Sequence, residues 1–181
     1  MKKTAIKFGG ETLYNLRFSL LGDVMSEYSA KVIWRLGEDS FQSRRYSRAH
    51  KWVFDGGIEV DASASPHIVP LPLSVEAAVD PEEALVAAAS SCHMLFFLHY
   101  AADAGLDVES YTDNAVGTMG KLESGRIGFT RIVLSPDIAF VGVTPPDADL
   151  IGELHRKAHE SCFIANTLNC PVEVVDTSAV A

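Results

Sequence analysis

The segment that most constrains the fold runs from Asp80 to Gly105, because it reads as one long helix with a thiol near its middle. Asp80 can cap the amino end, and Glu83 stands three residues later, as in a capping box. Gly105 is a natural stop. Apolar or small residues recur at helical spacing and predict one packed face: Leu85, Ala88, Ala89, Cys92, Leu95, Phe96 and His99. The sequence therefore predicts a buried central helix that presents Cys92.

Length, charge and cysteine count exclude several classes of protein. With 181 residues the chain is long enough for one domain with a substantial core. A net charge of −9 without a basic stripe argues against nucleic acid as a partner. Three cysteines are too few for a disulfide scaffold and favour a reducing compartment, so we expect a cytoplasmic protein. His93, His99 and Asp103 make a membrane span the weaker interpretation of the long helix, so no membrane partner is expected.

The pattern around the central helix predicts an α+β fold, with antiparallel sheets packed around two long central helices. Residues 1–24 are weakly patterned and are treated as an N-terminal extension, whereas 25–181 are predicted to form a single domain. The other predicted elements are strands at 31–36, 45–54 and 58–60, a hairpin of 108–119 with 127–140, a second helix from 148 to about 162, and a strand at 171–175.

Two cysteines are the first candidates for chemistry. A lone cysteine on a helix face is more often a small packing residue than a reactive one. Here each long helix brings one thiol to its inner face, Cys92 on the first and Cys162 near the end of the second. Such distant residues can meet only through the fold, which is what a thiol–disulfide cycle requires. Cys170, beside a proline at a strand start, is interpreted as structural.

Two charged residues are the next candidates. Glu82 lies in the first turn of the central helix, where a carboxylate complements the helix dipole. Ten residues of straight helix place it roughly 15 Å from Cys92, so contact requires a later helix start, a bridging side chain or a partner subunit. Arg48 lies on a predicted strand among other cations. If its guanidinium reached Cys92, it would stabilise the thiolate, which is the reactive form.

Two other functional classes remain open on these residues. His155, His159 and Cys162 are spaced i, i+4 and i+7, which suits a zinc or copper ligand set on one helix face. This alternative is a metal-binding protein. The other is a non-catalytic, stress-related ligand-binding protein whose thiols are inert.

Several segments resemble the OsmC/Ohr family, the osmotically inducible and organic hydroperoxide resistance proteins. Residues 81–92 are similar to the central-helix signature of the family, and 158–166 look like its second-cysteine region. Residues 46–50 and 63–67 are similar to an OsmC-like branch. The likeness covers about 28–176 and leaves 1–24 outside.

The resemblance implies an intertwined α+β homodimer with two active sites at the subunit interface. It implies a thiol-dependent peroxidase that reduces organic hydroperoxides, with Cys92 as the peroxidatic and Cys162 as the resolving cysteine. Glu82 matches the family's glutamate by its spacing, and Arg48 is the choice for the arginine, with Arg44 and Arg45 as alternatives.

By the same resemblance no metal or organic cofactor is needed, and a dithiol, dihydrolipoyl or thioredoxin-like, regenerates the thiols. One departure is Phe163, which stands where the family often has proline after the second cysteine. Apolar residues close to the cysteines in sequence favour an organic peroxide: Leu95, Phe96, Phe97 and Phe163.

Overall fold

The computed structural model describes residues 26–142 and 146–175. The predicted α+β fold is confirmed, and the predicted extension 1–24 lies outside the described residues. The elements are, in chain order, β1 (Ala30–Ile33), β2 (His50–Phe54), β3 (Glu59–Ala62), α1 (Pro81–Asp103), β4 (Val108–Asp113), β5 (Val116–Lys121), β6 (Ile127–Leu134), β7 (Pro136–Phe140), α2 (Ala148–Ser161), α3 (Phe163–Thr167) and β8 (Val172–Val174).

Helix α1 begins as its sequence predicts. The Asp80 carboxylate accepts a hydrogen bond from the Glu83 backbone N–H at 2.7 Å, and the Glu83 side chain accepts from the Asp80 N–H at 3.3 Å. This reciprocal capping box satisfies two donors that the helix itself leaves unpaired. Gly105 follows the helix with φ of 75°, a conformation that favours glycine.

The buried face of α1 is rotated from the predicted one. Its buried residues are Ala89, His93, Phe97 and Ala101, each four positions after the last. Leu95, predicted to be buried, is 63% exposed. Small residues at the two ends of this row let α2 and the strands approach the helix closely, so a row with two alanines packs better than a row of leucines.

The predicted hairpin is present, but each of its arms is broken into two strands. β5 pairs with β6 through the turn around Gly125, whereas β4 pairs with β7 in a separate sheet. The Asp113 carboxylate lies at the break, where it accepts from the Ser135 N–H at 2.7 Å and from the Ser90 hydroxyl at 2.5 Å. Pro136 begins β7 and cannot donate to a ladder, so a continuous strand is interrupted there.

Three sheets are formed by the described residues, in the orders β1-β2-β3, β4-β7 and β5-β6-β8. All strand pairs are antiparallel except β6 with β8, which is parallel. Helix α1 packs against α2 and against the second and third sheets. The main core lies between α1 and α2, around Phe97, Ile151 and Leu154.

The first sheet has one apolar and one charged face. Val32, Trp52 and Val60 are in register across its three strands, and Val32 is 64% exposed. On the opposite face the Lys51 ammonium pairs with the Asp61 carboxylate at 3.0 Å. An antiparallel sheet usually packs its apolar face on a core, so the exposed apolar face is the unusual feature of this sheet.

The strand predicted at 45–54 begins only at His50, so the placement of Arg48 on a strand is wrong. Arg44 has a positive φ of 59°, which turns the chain before the strand starts. The Arg48 N–H donates to the Leu73 carbonyl at 2.7 Å instead of to a neighbouring strand. Arg48 is therefore held against the loop that leads into α1.

Candidate active site at the helix junction

Cys162 lies at the point where one helix ends and the next begins. Its backbone N–H donates to the His159 carbonyl as α2 ends, and its thiol sulfur accepts from the Ala165 N–H at 3.4 Å as α3 begins. The chain restarts a helix here with Phe163, and not proline, at the first helical position. The sulfur cap and a φ of −69° at Cys162 supply the geometry of the restart.

The two candidate thiols are neighbours in the fold. Cys92 is half-buried on α1 and Cys162 is 1% exposed, and both are free cysteines. Burial raises the pKa of Cys162 to about 11; the Ala165 N–H opposes this, and the adjacent Cys92 side chain adds to it. Cys162 is therefore a neutral thiol at physiological pH, beside a more accessible one.

This asymmetry predicts slow alkylation of Cys162 in the folded protein. At pH 8 a pKa of about 11 lowers the thiolate fraction roughly 200-fold below that of an ordinary cysteine, and the greater nucleophilicity of a more basic thiolate recovers only about tenfold. We expect iodoacetamide to modify Cys162 at least ~10-fold more slowly in the native protein than in denaturant. Peptide mapping of timed samples measures this rate, and equal rates in the two states would contradict the burial and pKa described.

An aromatic pair lies next to the thiols. The Phe96 and Phe163 rings meet edge to face, with centroids 5.2 Å apart. Phe96 is one turn after Cys92, and Phe163 follows Cys162 directly and is 51% exposed. Phe97 belongs to the core and Leu95 is exposed, so of the four residues predicted to form an apolar pocket Phe96 and Phe163 are the two whose rings meet.

Arg48 and Glu82 lie apart from the thiols in the single chain. The Arg48 guanidinium donates to the carbonyls of Arg44 and Tyr46 and stacks over the Tyr46 ring at 3.9 Å. Within residues 26–142 and 146–175 no hydrogen bond or ion pair joins Arg48 or Glu82 to Cys92.

Glu82 faces a cavity of about 830 Å³. Helix α1 lines it with a row of residues four apart that does not include Cys92: Glu82, Val86, Ser90 and Met94. The loop between β3 and α1 covers part of this cavity through Ser65, His67 and Ile68. Glu82 and Cys92 thus lie on different rows of one helix.

The predicted metal face is organised differently. His155 points into the core, where its Nδ1 lies 3.0 Å from Nε2 of His93. In the part of the chain that the structure describes, no group of three or more His, Cys, Asp or Glu side chains could hold a metal ion. The structure thus gives His155 a partner on α1.

The sequence does not single out these two histidines as a bonded pair. It marks His93 as a polar residue of the long helix, but the side chain is 1% exposed. The signal was available in the spacing, since Ala89, His93 and Phe97 follow one another at intervals of four, as residues on one buried face do.

Fold and site together define a class: an α+β protein in which two long helices bring two free cysteines together. Residues 74–175 match the family model described as OsmC-like protein. The chain therefore belongs to the OsmC-like protein family. No curated protein has a sequence that matches this chain significantly.

Solved structures agree with the assignment. An OsmC-like protein of unknown function from Vibrio cholerae is 53% identical, with a TM-score of 0.82 over 84% of this chain and 99% of that one. An organic hydroperoxide resistance protein from Elizabethkingia anophelis is 19% identical, with a TM-score of 0.63 over 86% and 98% of the two chains. The organic hydroperoxide resistance protein OhrB of Bacillus subtilis is 21% identical, with a TM-score of 0.56 over 82% and 97%. At these lower identities the likeness is one of fold.

Proposed function

We propose that this protein is a thiol-dependent peroxidase that reduces organic hydroperoxides, with Cys92 as the peroxidatic and Cys162 as the resolving cysteine. The observation that carries the proposal is the adjacency of two free thiols from different helices, one accessible and one buried. A resolving thiol must lie close to the first cysteine and be protected from direct oxidation, and burial gives Cys162 that protection.

The proposed cycle has three steps. The Cys92 thiolate attacks the distal oxygen of the hydroperoxide, which yields a Cys92 sulfenic acid and, after protonation, the alcohol. Cys162 then attacks the sulfenic sulfur; the disulfide forms, and the hydroxide that leaves takes up the Cys162 proton as water. A dithiol finally reduces the disulfide by exchange, regenerates both thiols and is itself oxidised to a disulfide.

An organic substrate is favoured over hydrogen peroxide by the surface next to the thiols. The exposed Phe163 ring and its partner Phe96 offer apolar contact to an alkyl or aryl group. Two fold relatives are named as organic hydroperoxide resistance proteins. The proposed reductant is a dihydrolipoyl or thioredoxin-like dithiol, and the proposed compartment is the cytoplasm, where such reductants keep thiols reduced.

The proposal includes a homodimer. The apolar face of the first sheet is exposed at Val32, and only 22% of the most apolar stretch of α1 is buried in one chain. A second copy that covers both surfaces satisfies the hydrophobic pattern of the sequence. In this dimer Arg48, held by Glu82, reaches Cys92 across the interface, which overcomes the separation within one chain. Its guanidinium then stabilises the Cys92 thiolate.

One measurement tests the cycle. Reduced protein is treated with one equivalent of cumene hydroperoxide, free thiols are blocked in denaturant, and the intact mass is determined. We expect two thiols per chain to be lost, mapping to Cys92 and Cys162, while Cys170 is blocked. If all three thiols are blocked and the peroxide is unconsumed, the peroxidase proposal is wrong.

A further inference from the structure

Two buried histidines join the helices that carry the cysteines. His93 on α1 and His155 on α2 are 1% and 5% exposed. Their ring planes are within 10° of parallel and their centroids are 5.3 Å apart, and Nε2 of His93 lies 3.0 Å from Nδ1 of His155. The Phe97 ring packs against the His155 ring, with centroids 4.4 Å apart. The contact is a directional hydrogen bond in the middle of a helix–helix interface.

The His93 ring is better accommodated neutral than charged. Its pKa is lowered to about 4, chiefly by burial and to a smaller extent by the neighbouring His155 and His159. One ring then donates its single N–H and the other accepts. The bond joins Nε2 of His93 to Nδ1 of His155, and Nδ1 of His93 has no hydrogen-bond partner among the described residues.

The pair joins the two helices that carry the thiols. His93 follows Cys92 directly on α1, and His155 lies on α2 seven residues before Cys162, which caps the end of that helix. A second polar bond joins the helices at the residue before Cys162, between the Tyr100 hydroxyl and the Ser161 hydroxyl at 2.7 Å.

We propose that His93 and His155 are positioning residues for the Cys92–Cys162 disulfide, because the hydrogen bond between them fixes α1 against α2 where the thiols meet. The inference rests on the two-cysteine part of the proposed function. Neither imidazole touches the peroxide; both act through the helices that carry the sulfurs.

A disulfide tolerates only small displacements of the two side chains that it joins. A disulfide requires Cβ atoms about 3.5–4.5 Å apart. A slip of one residue along a helix moves a side chain about 1.5 Å along the axis and turns it by about 100°, which exceeds that tolerance. Apolar contacts are non-directional and permit such slips, whereas a buried hydrogen bond is satisfied at one register only. A leucine pair would fill the same space without fixing the register.

The test is a glutathione redox equilibrium, in which protein dithiol and glutathione disulfide exchange with protein disulfide and two glutathione thiols. Wild-type protein is expected to form the Cys92–Cys162 disulfide. His93→Leu should lower the equilibrium constant at least ~10-fold, because the thiols are less well preorganised. His93→Gln, whose amide can replace Nε2 as a donor, should stay within about threefold of the wild type. His99→Gln, on the same helix but partly exposed, is the matched control and should not change the constant.

A double variant distinguishes loss of helix positioning from loss of the folded state. His93→Leu alone leaves the His155 imidazole buried without its bond, whereas His93→Leu with His155→Leu replaces both partners by apolar groups and is expected to stay folded. This double variant should show the same loss. An unchanged equilibrium constant in the folded double variant would overturn the inference, as would a wild type that forms no Cys92–Cys162 disulfide. Wild type that forms the disulfide in glutathione but consumes no cumene hydroperoxide would end the peroxidase proposal and support the positioning role.

Discussion

Cys92→Ser is expected to abolish turnover of cumene hydroperoxide, with a loss of at least about a thousandfold in rate. A hydroxyl at this position is far less acidic than a thiol and cannot form a sulfenic acid, so no later step in the cycle is available. The measurement is peroxide consumption with a dithiol reductant in excess. Cys170→Ser is the matched control, since it removes a half-buried thiol that packs in the third-sheet core, and it should retain turnover.

Cys162→Ser should separate reduction of the peroxide by Cys92 from formation of the disulfide. This variant is expected to reduce one equivalent of peroxide per chain and then stop as a Cys92 sulfenic acid, which dimedone traps. The intact mass should show one adduct at Cys92 and no disulfide. Sustained normal turnover by Cys162→Ser would exclude a resolving role for Cys162.

The stability of the protein is expected to fall as the pH is lowered from about 6.5 to about 4. The folded-state pKa of His93 is lowered to about 4 by burial, whereas an unfolded histidine titrates near 6.5. Between these values the unfolded chain binds a proton that the folded chain excludes, so the free energy of unfolding decreases with decreasing pH. The loss is complete below about pH 4 and amounts to about 3 kcal/mol.

Denaturant unfolding at pH 7 and pH 4 measures this effect. Carboxylates titrate in the same window, so the wild type must be compared with the His93→Leu, His155→Leu double variant, which lacks the pair and keeps the other groups. We expect the wild type to lose about 3 kcal/mol more than the double variant between the two pH values. Parallel losses would mean that His93 is solvated or paired differently in the folded protein.

The elements that local residues determine were predicted well. The capping box of α1, the glycine that follows it and the turn before β6 depend on neighbours within a few positions, and all are present. The broken hairpin could not be predicted in the same way. It depends on Asp113 bonding to Ser90 of α1 and to Ser135, the residue between β6 and β7, and neither contact is local.

The candidate site shows the same difference between features that local residues determine and features that depend on distant contacts. The spacing pattern named Cys92 and Cys162, and the fold brings them together, because each lies at a position that its own helix defines. The predicted face of α1 continued from Ala89 to Cys92 and Leu95, whereas the buried row continues from Ala89 to His93 and Phe97. The predicted face therefore excluded His93, whose burial depends on a partner 62 positions away. Arg48 and Glu82 remain predictions, since their proposed contact with Cys92 lies between two chains.

The bonded histidines also constrain substitution at both positions. Loss of either ring alone leaves the other buried without the bond between them, which costs more than the loss of both. A path from a histidine pair to an apolar pair must pass through that less stable intermediate or change both positions at once. The two positions, 62 residues apart in the chain, are therefore coupled in their effect on stability.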